Sequence, residues 1–494
     1  MIVLTLEELA KEISFFIKEW LGEKMGFKCR TFYGSPFSMY LLAKYNILEA
    51  DTKSKLIDIY NDSDKSDFEF HWEFNNYGLY SYFNLTQDDE VSRFLNLLRF
   101  KNTSCTNWTL LRSNVRLTAE KDIDLALSEA KGKIKHFQMK SGLILDDRNV
   151  KSFQYHCFSA AMIAEIYLKT QDKYFLNSFL KAVHFIRHFI LRNGDTLYIG
   201  RGQEQSFGYS ALIYILALAF KFTNDLTIKG DIDSILGFLR SFQRVDKSFP
   251  LVMNGVERGI PKTILIDDVN YPGWYPYNNY FDYLPFMGFF LSKAADVLRE
   301  CDANEGIMSD QGEYRDKNFI KIVKKDYQAV LSAPGGYWTN DMPIPYIVFE
   351  NKSIMPCYGG EQFQKSIYSQ EGIPLPFCKN LNISMRKYSK SFFFQNTLFL
   401  MSIFGAMRRS FSFLDNEIAI RTSIYSLIKF RHYYLFKESV IQKDDFTLAD
   451  NSFSVVSDKK LIFEGFQYSA TGKLKLFTVD EKYSQIKIFL NYEN

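Results

Sequence analysis

Between residues 121 and 298 the sequence alternates two kinds of helical segment, and that rhythm restricts the folds open to it. KDIDLALSEAKGKIKHF (121–137) and DIDSILGFLRSF (231–242) carry a charged stripe. SFQYHCFSAAMIAEIYL (152–168), SFGYSALIYILALAF (206–220) and YFDYLPFMGFFL (280–291) are almost uncharged. A helix with a charged face lies at the surface, whereas one apolar all round must be enclosed. In chain order the series reads outer from 121, inner from 152, outer from 173, inner from 206, outer from 231 and inner from 280. This predicts helical hairpins standing in a ring, an (α/α) toroid, with one helix of each pair lining the centre. A linear helical solenoid shares the alternation. Further helices are expected over 36–47, 88–100 and 107–118, with an amphipathic one over the first twenty residues.

After about residue 318 the period changes. IPYIVFEN, SFFFQNTLFLMSIFG, EIAIRTSIYSLIKF and GKLKLFTVD are short, β-branched and aromatic, with in–out alternation and turn residues between them. The expected organisation is a catalytic (α/α) toroid over 1–305, a linker over 306–318 and an antiparallel β-sandwich over 319–494, an α+β multidomain chain.

Composition narrows the partners. The formal net charge is +3, with basic residues scattered singly, which argues against nucleic acid as the main partner. The longest apolar run, ALIYILALAF, is shorter than a membrane span. The N-terminal helix carries Glu7, Glu8 and Glu12 where a secretory signal would be basic and then apolar. Six cysteines show no CxxC spacing; thiols in a reducing compartment, and hence a cytoplasmic location, are expected. No zinc, EF-hand, phosphate-loop, dinucleotide or Ser/His/Asp motif is found, so no metal or cofactor is expected. Of the 47 Phe and 31 Tyr most belong to a core, leaving a few as platforms for sugar rings.

The chemistry is expected in the loops before the inner helices. In a toroid these loops meet at one end, where free N–H groups and helix dipoles favour an anionic ligand such as a uronate. KNTSCTNW brings Asn107 and Trp108. GLILDDRNVKSFQYH brings Asp146, Asp147, Tyr155 and His156, with Ser152 as an N-cap. Tyr155 and His156 are candidate acid and base, or His156 is a core histidine; Asp147 is a candidate acid or an ordinary turn residue. GRGQEQ brings Arg201, Gln203, Glu204 and Gln205. Arg201 suits a carboxylate clamp or a pair with Glu204, Glu204 suits a general acid, and the glutamines suit hydroxyls. DDVNYPGWYPYNNY brings Trp274, Tyr275, Tyr277 and Asn278 for sugar stacking, or a proline-stiffened corner. The loop APGGYWTND (333–341) of the β region is suited to reach the same cleft.

NWTLLR (107–112), QYHCF (154–158) and GRGQEQSFGYSAL (200–212), in that order before a β-rich half, resemble bacterial toroid proteins related to heparinase II/III-like and alginate-type polysaccharide lyases. The nearest likeness is to a little-characterised domain family with an Asn-Trp-x-Leu-x-Arg helix start. The resemblance implies β-elimination on an acidic, uronate-containing polysaccharide. Tyr155 or His156 would be base or acid, and Arg201 with Gln205 would bind the carboxylate. The paired Asn-His signature of many such lyases is not evident. Related toroids hydrolyse glycosidic bonds with carboxyl groups, which would move the roles to Asp147 and Glu204. A non-catalytic glycan-binding protein of a polysaccharide assembly system is the remaining alternative.

Overall fold

The structure, a computed structural model, describes all residues except 1, 25–30, 68–69, 96–97, 255–278, 302–305, 308–311, 336–340, 355–374, 387, 470–471 and 492–494. The calls on Trp274, Tyr275, Tyr277 and Asn278 therefore lie outside the described residues.

The helices are α1 (Ile2–Glu19), α2 (Gly34–Lys44), α3 (Ala50–Asp62), α4 (Trp72–Thr86), α5 (Asp89–Leu95) and α6 (Thr106–Thr118), then α7 (Ile123–Phe137), α8 (Phe153–Thr170), α9 (Lys173–Arg187), α10 (Ser206–Thr223), α11 (Leu226–Ser241) and α12 (Tyr280–Arg299). Going round the ring, α2 packs on α4, α4 on α6, α6 on α8, α8 on α10, α10 on α12 and α12 back on α2. The ring is closed, so a linear solenoid is excluded. Outside it, α3 lies on α2, α5 on α4, α7 on α6, α9 on α8, α11 on α10 and α1 on α12. These six hairpins make an (α/α) toroid.

The uncharged helices are inside, as their composition requires. α8 and α10 are buried along nearly their full length. α10 is long and apolar enough to cross a bilayer, but 83% of that stretch is buried in the ring. Three elements depart from expectation; α3 is one, lying outside the expected helices. The 88–100 helix is the short outer α5, and the inner helix of its hairpin is α4, whose sequence WEFNNYGLYSYFNLT is poor in strong helix formers. Burial of Phe74, Tyr77, Leu79 and Tyr82 against its neighbours overrides that propensity.

Closure depends on Asp282, in the first turn of α12. Its buried carboxylate accepts from the Phe32, Tyr33 and Gly34 N–H groups at 3.0, 2.9 and 2.8 Å and from Thr31 Oγ1 at 2.8 Å. It thereby satisfies orphan donors at the start of α2. Gly34 is required there, since a Cβ would stand 2.0 Å from the Phe281 carbonyl oxygen. In the middle of the ring Phe286 meets Phe37, Phe74, Phe158 and Phe207 at 4.7–5.8 Å between ring centroids. One ring each from α2, α4, α8, α10 and α12 plugs the toroid, so it has a floor rather than a channel.

The strands are antiparallel throughout. The first sheet runs β1 (Tyr314–Arg315), β2 (Phe319–Val323), β3 (Tyr327–Ser332), β4 (Tyr346–Phe349), β5 (Lys352–Ser353). β6 (Phe377–Cys378) and β7 (Ile383–Ser384) form a short pair. The largest sheet holds β8 (Lys390–Phe394), β9 (Thr397–Ser402), β10 (Gly405–Phe413), β11 (Glu417–Tyr425), β13 (Ile441–Gln442), β14 (Thr447–Ala449), β15 (Phe453–Ser457) and β18 (Tyr483–Leu490). Its order is β13-β14-β15-β18-β11-β10-β9-β8. The last sheet is β12 (His432–Lys437), β17 (Gly472–Val479), β16 (Ile462–Ser469). It faces the largest sheet, with Tyr434 Oη 2.9 Å from Ser484 Oγ between them, which makes the sandwich.

Candidate functional site at the toroid mouth

The starts of the inner helices form a continuous circle of contacts. Asp282 of α12 holds the start of α2, and Tyr33 there lies 5.2 Å from the His71 ring just before α4. His71 lies 4.8 Å from Trp108 in the first turn of α6. The Thr106 N–H donates to the Asp146 carbonyl at 2.9 Å, and the Phe153 N–H to the Ile199 carbonyl at 3.0 Å. Phe207 of α10 returns to Tyr283 of α12 at 5.0 Å. The expected convergence of loops is thus a mouth, floored by the phenylalanine plug.

On its α8 side stand Tyr155 and Arg201. Ser152 caps α8 through its Oγ, which accepts from the Tyr155 N–H at 3.1 Å and donates to the Arg201 carbonyl at 2.6 Å. This ties the GRGQEQ loop to the helix start. Gly200, at φ +89°, allows it: a Cβ would lie 2.1 Å from the Lys151 carbonyl oxygen. The Arg201 guanidinium lies 5.1 Å from the Tyr155 ring centroid and donates to Asp146 Oδ2 at 3.0 Å. Arg201 therefore pairs with Asp146 and not with Glu204. Burial raises the Asp146 pKa, while the Arg201 charge and hydrogen bond oppose that rise.

Several buried polar atoms around this pair lack a hydrogen-bond partner among the described residues: Thr106 Oγ1, Asn107 Oδ1, Asp146 Oδ1 and Gln154 Oε1. Buried polar atoms are normally satisfied, so four such groups, in the first turns of α6 and α8 and the loop between α7 and α8, suit a ligand rich in hydroxyls. Trp108 is half-buried, flanked by His71, Phe74 and the Lys101 ammonium.

Three sequence candidates face elsewhere. His156 is fully buried. Its Nδ1 accepts from the Ile144 N–H at 2.9 Å, so Nε2 carries the proton and donates to the Ala182 carbonyl at 3.0 Å. Burial holds its pKa at about 4. With both nitrogens committed to main chain, His156 is a core histidine, and the acid–base role is corrected. Glu204 is equally sealed. Its backbone at φ +54° turns the side chain inward, where Oε1 accepts from Tyr346 Oη at 3.1 Å and Oε2 from Asn254 Nδ2 at 3.0 Å. The same Tyr346 hydroxyl bridges to Asp195, sharing its one proton between the two carboxyls, and the other Asp195 oxygen accepts from Tyr209 Oη at 2.8 Å. Glu204 thus belongs to a buried carboxyl pair joining the toroid to β4, not to an open cleft. Gln203 is buried and donates to the Tyr198 carbonyl at 3.0 Å. Gln205 accepts from Gln154, which places it inside the wall of the mouth. Asp147 is half-exposed in a tight turn, its Oδ1 accepting from the Arg148 N–H at 2.7 Å.

The β region does reach the mouth. Lys151, next to the α8 cap, donates to the Ala333 carbonyl at 2.7 Å and pairs with Asp341 at 3.2 Å. His71 and Tyr33 were not among the sequence candidates. The signal that would have found them is the α4 helix start, hidden by its low helix propensity.

No protein-family model and no curated protein matches the sequence. Solved structures match in fold. The chondroitin AC lyase of Streptomyces coelicolor A3, solved with chondroitin sulphate, aligns over 99% of this chain and 79% of its own at 7% identity and a TM-score of 0.53. The chain shares its fold with that protein. A heparinase III aligns over 93% of this chain and 76% of its own (13% identity, TM-score 0.35). A family 88 glycosyl hydrolase from Bacteroides vulgatus aligns over 59% of this chain and 99% of its own (14% identity, TM-score 0.40).

Proposed function

We propose that the protein is a carbohydrate-active enzyme that cleaves an acidic, uronate-containing polysaccharide at the toroid mouth by β-elimination. The observation that carries the reading is the Tyr155–Arg201 pair, set among unpartnered buried polar atoms. The lyase with the same fold was solved with an acidic glycan, which supports the substrate class. Arg201 places positive charge against the Tyr155 ring, where a substrate carboxylate is favoured. The Tyr155 phenolate oxygen takes the proton from C5 of the uronate. The C–H electron pair becomes the C4=C5 double bond and the bond from C4 to the glycosidic oxygen breaks. The leaving oxygen takes the proton back from Tyr155, so no water is consumed.

One observation favours a second reading, hydrolysis. Asp146 is buried, its pKa is raised and one carboxyl oxygen is unpartnered, as a general acid requires. Incubation with a panel of acidic polysaccharides separates the two. Elimination gives ultraviolet-absorbing products one water lighter than hydrolysis fragments; hydrolysis gives fragments without that absorbance.

A further inference from the structure

An antiparallel sheet with one face in the core normally presents polar residues on the other. The largest sheet departs from this at its β8 end. Its inner positions, Leu398, Leu400, Met407 and Ile420 among them, are buried. By register, the outer face sets Phe392 beside Phe399 and Arg408, Phe394 in line with Arg421, and Lys390 beside Met401 and Tyr425. Phe394 is 64% and Tyr425 61% exposed. Phe392 and Phe399 stack at 5.5 Å and 21°. The five strands from β8 to β18 span roughly 19 Å at the usual spacing.

The cations at the β8 end of this face are unpaired. Lys390, Arg408 and Arg421 are exposed, and none forms an ion pair among the described residues. Carboxylates lie toward the far side of the face: Glu417 is paired with Lys487, and Asp458, across β18 from Arg421, accepts from the Gln485 N–H at 2.7 Å.

We infer that the outer face of β8–β11 is an accessory binding surface for the acidic polysaccharide chain. The inference rests on the proposed substrate class. Aromatic rings take the apolar faces of sugars and the three cations take carboxylate or sulphate groups. A neutral polymer or a short oligosaccharide held only in the mouth does not use it.

The test is affinity electrophoresis of the full chain through gels containing chondroitin sulphate, heparin, hyaluronan or alginate, with dextran as the neutral control. At least one acidic polymer retards the wild type and dextran does not. Phe392→Ala/Arg408→Ala/Arg421→Ala weakens that binding about tenfold or more, whereas Lys173→Ala, at an exposed lysine on outer helix α9, leaves it unchanged. Near-ultraviolet dichroism of the triple variant confirms its fold. Undiminished binding by the triple variant overturns the proposal, as does the lack of retardation in every acidic gel. So does a wild-type dimer by light scattering that the triple variant dissociates, since the face would then be a contact between copies. Face-dependent binding without cleavage leaves this surface standing and defeats the elimination reading; cleavage with face-independent binding does the reverse.

Discussion

Glu165 fastens the toroid below the phenylalanine plug, and its removal has a calculable cost. From α8 it accepts Tyr77 Oη of α4 at 2.6 Å, Asn114 Nδ2 of α6 at 2.6 Å and Tyr214 Oη of α10 at 3.1 Å. It also pairs with Lys293 of α12, and Lys169 stands at 3.9 Å. Five of the inner helices meet at one carboxylate. Burial alone would raise its pKa, but the Lys293 and Lys169 charges and the hydrogen bonds from Lys293 and Tyr77 hold it at about 2, below its ordinary 4.5. At about 1.4 kcal/mol per pH unit the difference is roughly 3 kcal/mol. Because the folded-state pKa is the lower one, this stability is present above pH 4.5 and is lost as pH falls toward 2. Glu165→Gln should therefore lose about 3 kcal/mol at pH 7 in urea unfolding, and its stability should fall less between pH 4.5 and 2 than that of the wild type. Glu165→Gln/Lys293→Met should recover part of the loss, because the single variant leaves an ammonium uncompensated. A cost below about 1 kcal/mol at pH 7, or an unchanged acid limb, would refute the reasoning.

Other outcomes follow from the buried groups. Asp195 is raised above its ordinary value by burial, so the folded state holds its proton more tightly and stability falls as pH rises above 3.8. Asp195→Asn should abolish that decline in thermal midpoints measured across pH 4–7. His156→Ala strands the Ile144 N–H and the Ala182 carbonyl and should cost about 3–5 kcal/mol. Turnover per folded molecule should stay near wild type, with no limb of the pH–rate profile shifted; abolished turnover in folded protein would restore a catalytic role.

The uniformly apolar helices were legible because a helix without a charged face has one place to go, and from α8, α10 and α12 the ring follows. α4 was not, because its helix exists through burial of aromatic side chains and not through propensity. Asp282, which closes the ring, reads in sequence as one acid in YFDY, since its partners are 250 residues away in the chain. The mouth was legible to the level of its loops and illegible to the level of single residues. One step along a helix turns a side chain by about 100°, so Tyr155 lies toward Arg201 while His156 points at α9. Asp146 turns inward to Arg201 while its neighbour Asp147 sits in a half-exposed turn. Glu204 was misread because its left-handed backbone, which sends the carboxylate toward Asp195, leaves no mark in the local sequence.

The central claim is that Tyr155 moves the proton at the mouth. The direct test is turnover of wild type, Tyr155→Phe and Asp146→Asn on an acidic polysaccharide the wild type cleaves, following ultraviolet absorbance and product mass together. Elimination at Tyr155 predicts unsaturated products from the wild type and a loss of about 10²–10⁴-fold in Tyr155→Phe, with that variant still folded. Saturated products, silenced by Asp146→Asn and made at the wild-type rate by Tyr155→Phe, would contradict it.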